Sequence, residues 1–251
     1  MAQKMKIKRG RYLYAITNPG ERSYGPCGIE GGDVYAVSNG RLAAIVSDLF
    51  ETKIRPERRH LAAHQEVLKR LMTESTPLPM AFGTIAEGPE AIKKILSLKQ
   101  KDFLLQLQRV AEKTEMGLRV YLDVPNIFEY FVHTHPELRL VRDRLLGKHR
   151  EPRQEDKIEV GRIFERILNE DREEHSERVE EILKACCIEI KRTLLRNERE
   201  IVNLACLVEC NSREAFEAGI FKAAGLFDNH FAFDYNGPWA PHNFVEASIK
   251  L

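Results

Sequence analysis

The tripeptide Ser38-Asn39-Gly40, which lies between two apolar runs, constrains the fold of this chain more than any other local feature. Asn-Gly accepts the positive φ values of a two-residue type I′ turn, whose twist matches that of paired antiparallel strands. The sequence therefore predicts a β-hairpin over residues 34–47, with Asn39 and Gly40 at its turn. Hairpins and antiparallel connections argue against a doubly wound parallel sheet.

Strands and helices alternate through the rest of the first half. The predicted elements are a strand over residues 11–17, a helix from Pro56 to Met72, an extended segment over residues 76–88, a second helix from Pro89 to Lys113 and a strand over residues 115–124. The extended segment contains Pro77, Pro79, Phe82 and Gly83, and a proline biases the residue before it away from the α region. We expect this segment to link the two helices and to pack in the domain core.

The second half is mostly helical and highly charged up to about residue 197. Two apolar stripes at helical spacing cover residues 160–168 and 179–194. The polar run between them, NEDREEHSER, is either fully exposed on one helix or a break between two helices. A strand, a helix and a short strand are predicted after residue 200.

This order of elements predicts an α+β fold with two domains, residues 1–115 and residues 116–251. Both domains are expected to contain mixed or antiparallel sheets with packed helices. A ferredoxin-like arrangement with long helical insertions fits the second domain.

Composition excludes several classes of protein. The 251 residues include 39 Lys and Arg against 38 Asp and Glu, and 43% are hydrophobic. This share of apolar residues can bury a core, which argues against a disordered chain. No apolar run approaches the roughly 18 residues of a membrane-spanning helix, and the near-zero net charge gives no support to nucleic-acid binding. We therefore expect neither nucleic acid nor a lipid membrane as a partner.

The five cysteines indicate a reducing compartment, because their number is odd and the first residues do not resemble a signal peptide. The simplest location is the cytoplasm. Cys206 and Cys210 would lie roughly 13 Å apart on one face of a strand, which is too far for one tetrahedral zinc ion. We interpret them as buried thiols that pack as small hydrophobic side chains.

His60 and His64 are four residues apart on a predicted helix, so both side chains can face one metal ion. The zincin pattern requires glutamate where this chain has Leu61, and no third ligand is evident. The simpler interpretation is a helix face that docks on the sheet, with His64 near its edge. A metal-dependent or small-molecule enzyme that uses His60 and His64 stays as the alternative function.

Other signs of catalysis or cofactor binding are weak. The glycines near residue 28 precede a strand, whereas phosphate-binding fingerprints need a strand, a glycine loop and a helix in succession. No nucleophile elbow is present. The basic stretch over residues 139–153 is typical of a solvated face that pairs with the acidic residues after it. We therefore predict no catalytic residue, no cofactor and no resident metal.

The least ordinary segment is FDYNGPWAPHNFV, over residues 233–245. It contains Pro238, Trp239, Pro241 and Phe244, so it is stiff and aromatic. An exposed aromatic side chain on a stiff segment is a good anchor for a partner. The other interpretation is an internal clasp, in which Trp239 and Phe244 fold back and cover the core. Both interpretations can hold together.

Several of these motifs together resemble one family. The run RRHLAAHQEVLKRLM followed by TPLPMAFGTI, the opening YLYAIT, the hairpin run GRLAAIVSD and the ending FDYNGPWAPHNFV are similar to the gas vesicle protein GvpF/GvpL family. The resemblance spans essentially the whole chain, and the length of the chain favours the GvpF branch. One departure is His242, where a tyrosine is common in the family.

The resemblance implies a function that the composition does not indicate. Family members are non-enzymatic minor components or accessory factors of the gas vesicle, a gas-filled protein organelle that provides buoyancy. The implied partners are the small hydrophobic shell protein, whose aggregation the family limits during early assembly, and other accessory proteins. Trp239, Pro241 and Phe244 are the candidate partner-binding residues. The structural motif residues are Asn39, Gly40, His64, Pro77, Pro79, Phe82, Gly83, Gly237 and Pro238.

Overall fold

The computed structural model describes residues 10–20, 22–50, 53–146, 151 and 153–246. It has the predicted α+β class, with helices beside antiparallel sheets. The chain divides into two compact units. The first contains the residues up to Glu115 together with the segment from Pro238 onward, and the second contains Met116–Gly237.

The first unit is built on a six-stranded antiparallel sheet. Its strands and helices are β1 (Gly10–Thr17), β2 (Ser23–Gly25), β3 (Val34–Ser38), β4 (Ala43–Leu49), α1 (Arg58–Met72), β5 (Leu78–Pro79), β6 (Ile85–Ala86), α2 (Pro89–Leu98), α3 (Gln100–Val110) and the start of β7 (Lys113–Leu122). The strand order is β2-β3-β4-β1-β5, and β6 also pairs with β1. The proline-containing segment thus supplies β5 and β6 as short partners of β1.

Strand β1 is buried on both faces. Leu13 and Ile16 belong to one apolar cluster, and Tyr12, Tyr14 and Ala15 belong to another. The pairing with β4 shifts register between Leu13 and Ala15. A shift of this kind re-aims the side chains that follow it, which lets the strand serve both clusters.

Two predicted helix boundaries in this unit are wrong. Helix α1 begins at Arg58 after an extended Glu57, so Pro56 lies before the helix and not at its first position. The second predicted helix is two helices, because Lys99 leaves the helical conformation at φ −103° and ψ 17°. The bend turns the buried stripes of both helices, Ile92 with Leu96 and Phe103 with Leu107, toward one core.

The predicted hairpin is present, but its turn differs from the prediction. Ser38 pairs with Ala43, so four residues connect the strands instead of two. Gly40 has a φ of 88°, and Asn39 is not among the described non-glycine residues with positive φ, which excludes a type I′ turn. The Asn39 Oδ1 atom accepts hydrogen bonds from the Arg41 and Leu42 N–H groups at 3.0 and 2.9 Å. This side-chain capping stabilises the longer loop.

We expect Gly40→Val to destabilise the first unit by about 1–3 kcal/mol, because a β-branched residue at positive φ is strained. No heavy atom lies within 4 Å of a Cβ built at Gly40, so the cost comes from the backbone and not from a clash. Thermal unfolding of the variant measures this effect. Gly40→Asn is the control, since asparagine tolerates this region; equal melting of the valine and wild-type chains would contradict the assigned conformation.

The second unit is a four-stranded sheet with helices. Its elements after β7 are α4 (Ile127–Thr134), α5 (Pro136–Leu146), α6 (Gln154–Leu183), β8 (Glu189–Arg192), β9 (Glu200–Glu209), α7 (Arg213–Ala224) and β10 (Phe231–Trp239). The strand order is β10-β7-β9-β8. The order strand, helices, strand, strand, helix, strand is that of a ferredoxin-like unit in which three helices stand between the first two strands.

The polar run between the two predicted stripes does not break the helix. Helix α6 is continuous over 30 residues, and its polar turns carry i,i+4 ion pairs between Arg166 and Glu170 and between Arg178 and Glu174. The second stripe was predicted to continue as helix to Leu194, and this is wrong. Residues 189–192 form β8, because pairing with β9 satisfies their backbone groups.

The last described residues also differ from the predicted division of the chain. The sequence placed Pro238–Glu246 in the second domain, but these residues pack with the first unit. Buried Phe244 and Ala240, together with hydrogen bonds to residues 106–115, account for this position. The chain leaves the first unit within β7 and returns to it within β10.

Candidate functional site

The terminal segment, which comprises Pro238–Glu246, is tied to the first unit by a row of hydrogen bonds. The Thr114 Oγ1 atom donates to the Trp239 carbonyl at 2.9 Å. The carboxylate of Glu115 accepts from both the backbone N–H and the side-chain amide of Asn243, at 2.8 and 2.7 Å. Glu246 exchanges two further bonds with the Gln106 side chain. These bonds tie the segment to the first unit at Trp239, Asn243 and Glu246.

Burial separates the three candidate partner-binding residues. Phe244 is only 1% exposed and Pro241 is buried, so both side chains pack inside the first unit. Trp239 is half-buried and Pro238 is exposed. Gly237, which precedes them, has a φ of 126°, a value that favours glycine. The clasp interpretation thus describes Pro241 and Phe244, whereas Trp239 still presents part of its ring.

Lys69 of α1 covers part of the Trp239 ring. Its Nζ atom lies 5.3 Å from the ring centroid, within the range of a cation–π interaction. A cation over one part of the ring fixes its orientation and leaves a mixed surface of aromatic carbon and positive charge. Pro238, Trp239 and Lys69 form this surface, and Asn243 and Glu246 are the other exposed residues of the terminal segment.

We expect Glu115→Ala to destabilise the first unit by about 2–3 kcal/mol, because bonds to a charged acceptor each contribute about 1.5–3 kcal/mol and Asn243 can recover part of this from water. Glu115 is 7% exposed, so its carboxylate depends on protein donors. Urea unfolding of Glu115→Ala, Asn243→Ala and the double variant measures the pair. Strict additivity of the two single effects would contradict a direct interaction.

A cluster of aromatic and histidine rings lies beneath the proline-containing segment. The Tyr12 hydroxyl and the His64 Nδ1 atom are 2.9 Å apart, and the Gly83 N–H donates to the same hydroxyl at 3.1 Å. The Phe82 ring meets the rings of Tyr12 and His64 edge-on, with centroids 6.0 and 5.9 Å away. The predicted motif residues His64, Phe82 and Gly83 therefore meet around Tyr12.

The two prolines and the first helix complete this cluster. Pro77 and Pro79 are buried, and Pro79 pairs with Ala15 of β1. Phe82 is only partly buried, so its ring joins the edge of the core and not its centre. The sequence predicted His64 near the edge of the docking face of the helix. The side chain is instead buried, at 2% exposed.

His64 is a neutral imidazole in this environment. The Tyr12 hydroxyl accepts a hydrogen bond from the Gly83 N–H, so we assign its own proton to the bond with the His64 Nδ1 atom. The imidazole proton of His64 then lies on Nε2. The pKa of His64 is lowered to about 4, mainly by burial and then by the nearby His242, against an opposite effect of the Met80 backbone. The rings of His64 and His242 are 6.4 Å apart, and burial also lowers the pKa of His242.

His60 does not join His64 in a ligand set. Its Nδ1 atom lies 2.9 Å from the Arg55 carbonyl, and its Nε2 atom is 3.8 Å from the Glu30 carboxylate. Among the described residues, no group of three or more His, Cys, Asp or Glu side chains is arranged to hold a metal ion. His60 and His64 are 5% and 2% exposed, so neither is open to a substrate.

In the described part of the chain, neither the cysteines nor the basic stretch forms a recognisable reactive or ligand-binding site. Cys206 is buried as predicted, but Cys210 is exposed, which corrects the prediction for that residue. Burial raises the pKa of the Cys186 thiol to about 12, which disfavours the reactive thiolate. Within the basic stretch Arg142 and Arg144 pair with Glu129 and Glu159, each at 3.5 Å. Lys148 and Arg150 lie outside the described residues.

The residues that hold the terminal segment were missed at the level of sequence. Gln106, Thr114 and Glu115 have no motif of their own, and Gln106 lies on a helix far from the terminal segment along the chain. The glutamate directly before the apolar alternation of strand β7 was the available signal, because a buried carboxylate needs partners. Nothing in the sequence indicated that Asn243 is that partner.

Comparisons with known proteins agree over nearly the full length. The family model described as "Gas vesicle synthesis protein GvpL/GvpF" matches residues 10–246. A gas vesicle protein F of a Streptomyces species is 28% identical over 94% of this chain and 99% of its own length. Gas vesicle protein F1 of Halobacterium salinarum is 25% identical over 95% of this chain and 93% of its own.

The fold is shared with a solved structure. The crystal structure of the gas vesicle protein GvpF from Anabaena has a TM-score of 0.81 at 23% sequence identity. The match covers 96% of this chain and 100% of that chain. No helix in the described part of the chain is long and apolar enough to cross a membrane.

Proposed function

This chain belongs to the gas vesicle synthesis protein GvpL/GvpF family, and on that premise we propose that it binds the small hydrophobic shell protein during early gas vesicle assembly. In this role it limits aggregation of the shell subunit, assists nucleation of the vesicle and acts with other accessory proteins in the cytoplasm. The role is non-enzymatic. It requires a surface that shields apolar residues of the subunit and then releases them.

The observation that carries this proposal is the half-buried Trp239 ring on a segment that is otherwise fixed. Aromatic side chains with one exposed face are common energetic centres of protein interfaces. Because Glu115 and Gln106 already order the segment, binding costs little additional conformational entropy. The surface formed by Pro238, Trp239 and Lys69 is therefore a suitable contact for an apolar segment of the shell subunit.

Burial changes which residues are proposed for binding. Pro241 and Phe244 support the surface from within, and Trp239 and Pro238 form it. Removal of the whole segment would expose the core of the first unit and would therefore confuse binding with folding. A side-chain substitution at Trp239 separates the two effects, since its carbonyl still accepts the Thr114 bond.

We expect Trp239→Ala to weaken binding of the shell subunit at least tenfold, which corresponds to a loss of about 1.4 kcal/mol or more. Titration of purified variant and wild-type chains with solubilised shell protein measures this change. A light-scattering assay of shell-protein aggregation, with and without each chain, provides the second readout.

Phe221→Ala is the matched control for this experiment. Phe221 lies on α7 of the second unit and is 71% exposed, so the substitution removes an exposed aromatic ring from a different surface. Binding that is equally weakened by both variants, or unchanged by Trp239→Ala in a folded chain, would reject the terminal segment as the contact.

The alternative of a metal-dependent or small-molecule enzyme receives little support from the two histidines. His64 is bonded to Tyr12 and packed by Phe82, and His60 faces Arg55 and Glu30. Metal analysis of the purified protein tests this alternative directly. Stoichiometric zinc or iron that is lost in His64→Ala would replace the assembly role with a metal-dependent one.

A further inference from the structure

Strand β8 stands at the edge of the sheet of the second unit. The strand order β10-β7-β9-β8 leaves one side of β8 without a strand neighbour among the described residues. The strand has four residues, Glu189–Arg192, and pairs antiparallel with β9 on its other side. An open edge of this kind is a template for a further strand unless the protein protects it.

The backbone groups of Ile190 and Arg192 are the ones that face outward. Thr193 donates its N–H to the Asn203 carbonyl at 2.8 Å, in line with the register that pairs Lys191 with Ala205. Inward bonding alternates along an antiparallel ladder, so the groups of Ile190 and Arg192 point away from β9. These two residues therefore offer N–H and C=O groups in the spacing that a second antiparallel strand needs.

An exposed apolar side chain lies two residues after this edge strand. Leu194 is 91% exposed, although its carbonyl accepts a 2.8 Å bond from the Asn203 side chain. The Arg196 N–H donates to Glu200 at 2.6 Å, which fixes the next part of the loop. Ile188, before the strand, is 50% exposed. Apolar residues thus flank the open edge on both sides, on a backbone that is already ordered.

The charges of β8 are complementary to those of a second copy of the same strand. Glu189 and Lys191 lie on one face, with their charged atoms 3.6 Å apart. If two copies pair antiparallel about an axis at Ile190, Glu189 lies opposite the partner's Lys191 on both sides of the axis. An axis at Lys191 would instead place two lysines opposite each other, which is unfavourable.

A short, charged edge strand often serves to prevent pairing, and lysine is the usual residue for this purpose. That protection works against strands that lack matching charges. Toward an identical antiparallel strand, Glu189 and Lys191 instead favour pairing, because each glutamate then lies opposite a lysine. An isologous contact of this type closes on itself and stops at two copies.

We propose that β8 pairs with β8 of a second copy of this chain, about a two-fold axis at Ile190, to form one continuous sheet across both copies. Ile190 exchanges two backbone bonds with its own counterpart. Leu194 lies diagonal to the partner's Ile188, within reach for apolar side chains. Because the edge is short, the dimer is weak and depends on protein concentration.

Sedimentation equilibrium over a range of concentrations tests this proposal on the full chain. We expect a monomer–dimer equilibrium for the wild type, about tenfold weaker association for Glu189→Lys, and recovery in the double variant Glu189→Lys/Lys191→Glu, which restores both cross-strand pairs. Amide exchange at Ile190 should slow as concentration rises. A wild-type chain that stays monomeric at all concentrations would overturn the proposal, and β8 would then be a protected edge.

Two further variants separate this contact from others. Leu194→Ser removes an exposed side chain without touching the sheet, so it should fold and weaken the dimer. Phe221→Ser is its matched control on α7 and should leave the dimer unchanged. Dimerisation that is insensitive to Glu189→Lys and to Leu194→Ser, or lost equally in Phe221→Ser, would place the contact elsewhere.

Discussion

Phe244→Ala is expected to destabilise the first unit by about 3–5 kcal/mol, more than Gly40→Val or Glu115→Ala. Phe244 is 1% exposed although it lies in the terminal segment, so its removal leaves a cavity that neighbouring side chains cannot fill completely. Chain termini are commonly frayed unless they are tied down, and this ring is one of the ties. Urea unfolding monitored by circular dichroism measures the loss.

Trp239→Ala serves as the comparison within the same segment. Its ring is half-buried, so we expect a smaller loss of stability than for Phe244→Ala, together with the proposed loss of shell-protein binding. Limited proteolysis of Phe244→Ala should cut the terminal segment earlier than the rest of the chain. Equal stability of Phe244→Ala and the wild type would show that the segment is not part of the folded core.

Acidification is expected to destabilise the first unit by on the order of 3 kcal/mol between pH 6.5 and about 4, through His64 alone. The pKa of His64 is lowered from 6.5 to about 4, because its buried ring is costly to charge and lies near His242. Between these values the unfolded chain binds a proton that the folded chain excludes, so stability rises with pH. The contribution of the neutral His64 ring to the free energy of unfolding is present in full above pH 6.5, and it is lost as the pH falls through about 4.

The free energy of unfolding, measured at intervals from pH 7.5 to 3.5, tests this dependence. His64→Gln is the informative variant, since glutamine can accept the Tyr12 bond and does not titrate. It should be less stable than the wild type at pH 7.5 but should lose less stability on acidification. A steeper loss in His64→Gln would show that another group dominates. His242, whose pKa is lowered in the same direction, contributes with the same sign.

Local signals predicted the elements where a single residue type or a strict period decides the outcome. The hairpin was predicted because glycine is favoured at positive φ and two apolar runs flank it, and Gly40 has a φ of 88°. Helical spacing predicted an apolar stripe on α1 that contains Leu61, His64, Val67, Leu68 and Leu71. Four of these side chains are buried, whereas Leu61 is 42% exposed. The α+β class followed from the alternation of periods 2 and 3.6 along the chain.

Long-range pairing decided what those signals left open. Residues 189–192 continue a helical apolar stripe in sequence, yet β9 offers them a complete ladder of backbone bonds. The hairpin loop has four residues, 39–42, because the Asn39 side chain accepts hydrogen bonds from the Arg41 and Leu42 N–H groups. In both cases the interaction that decides the structure depends on three-dimensional geometry, which the local hydrophobic periodicity of the sequence does not report.

The sequence by itself determined the fold class, the hairpin, the main amphipathic helices and the resemblance to a gas vesicle family. Only the tertiary structure decided that Phe244 is core, that Trp239 keeps an exposed face, and that Glu115 holds Asn243 across a separation of 128 residues. The physical reason is that propensity and periodicity report each residue's neighbours along the chain. Burial and hydrogen bonding of the terminal segment instead depend on a surface assembled from distant strands and helices, which exists only in the folded protein.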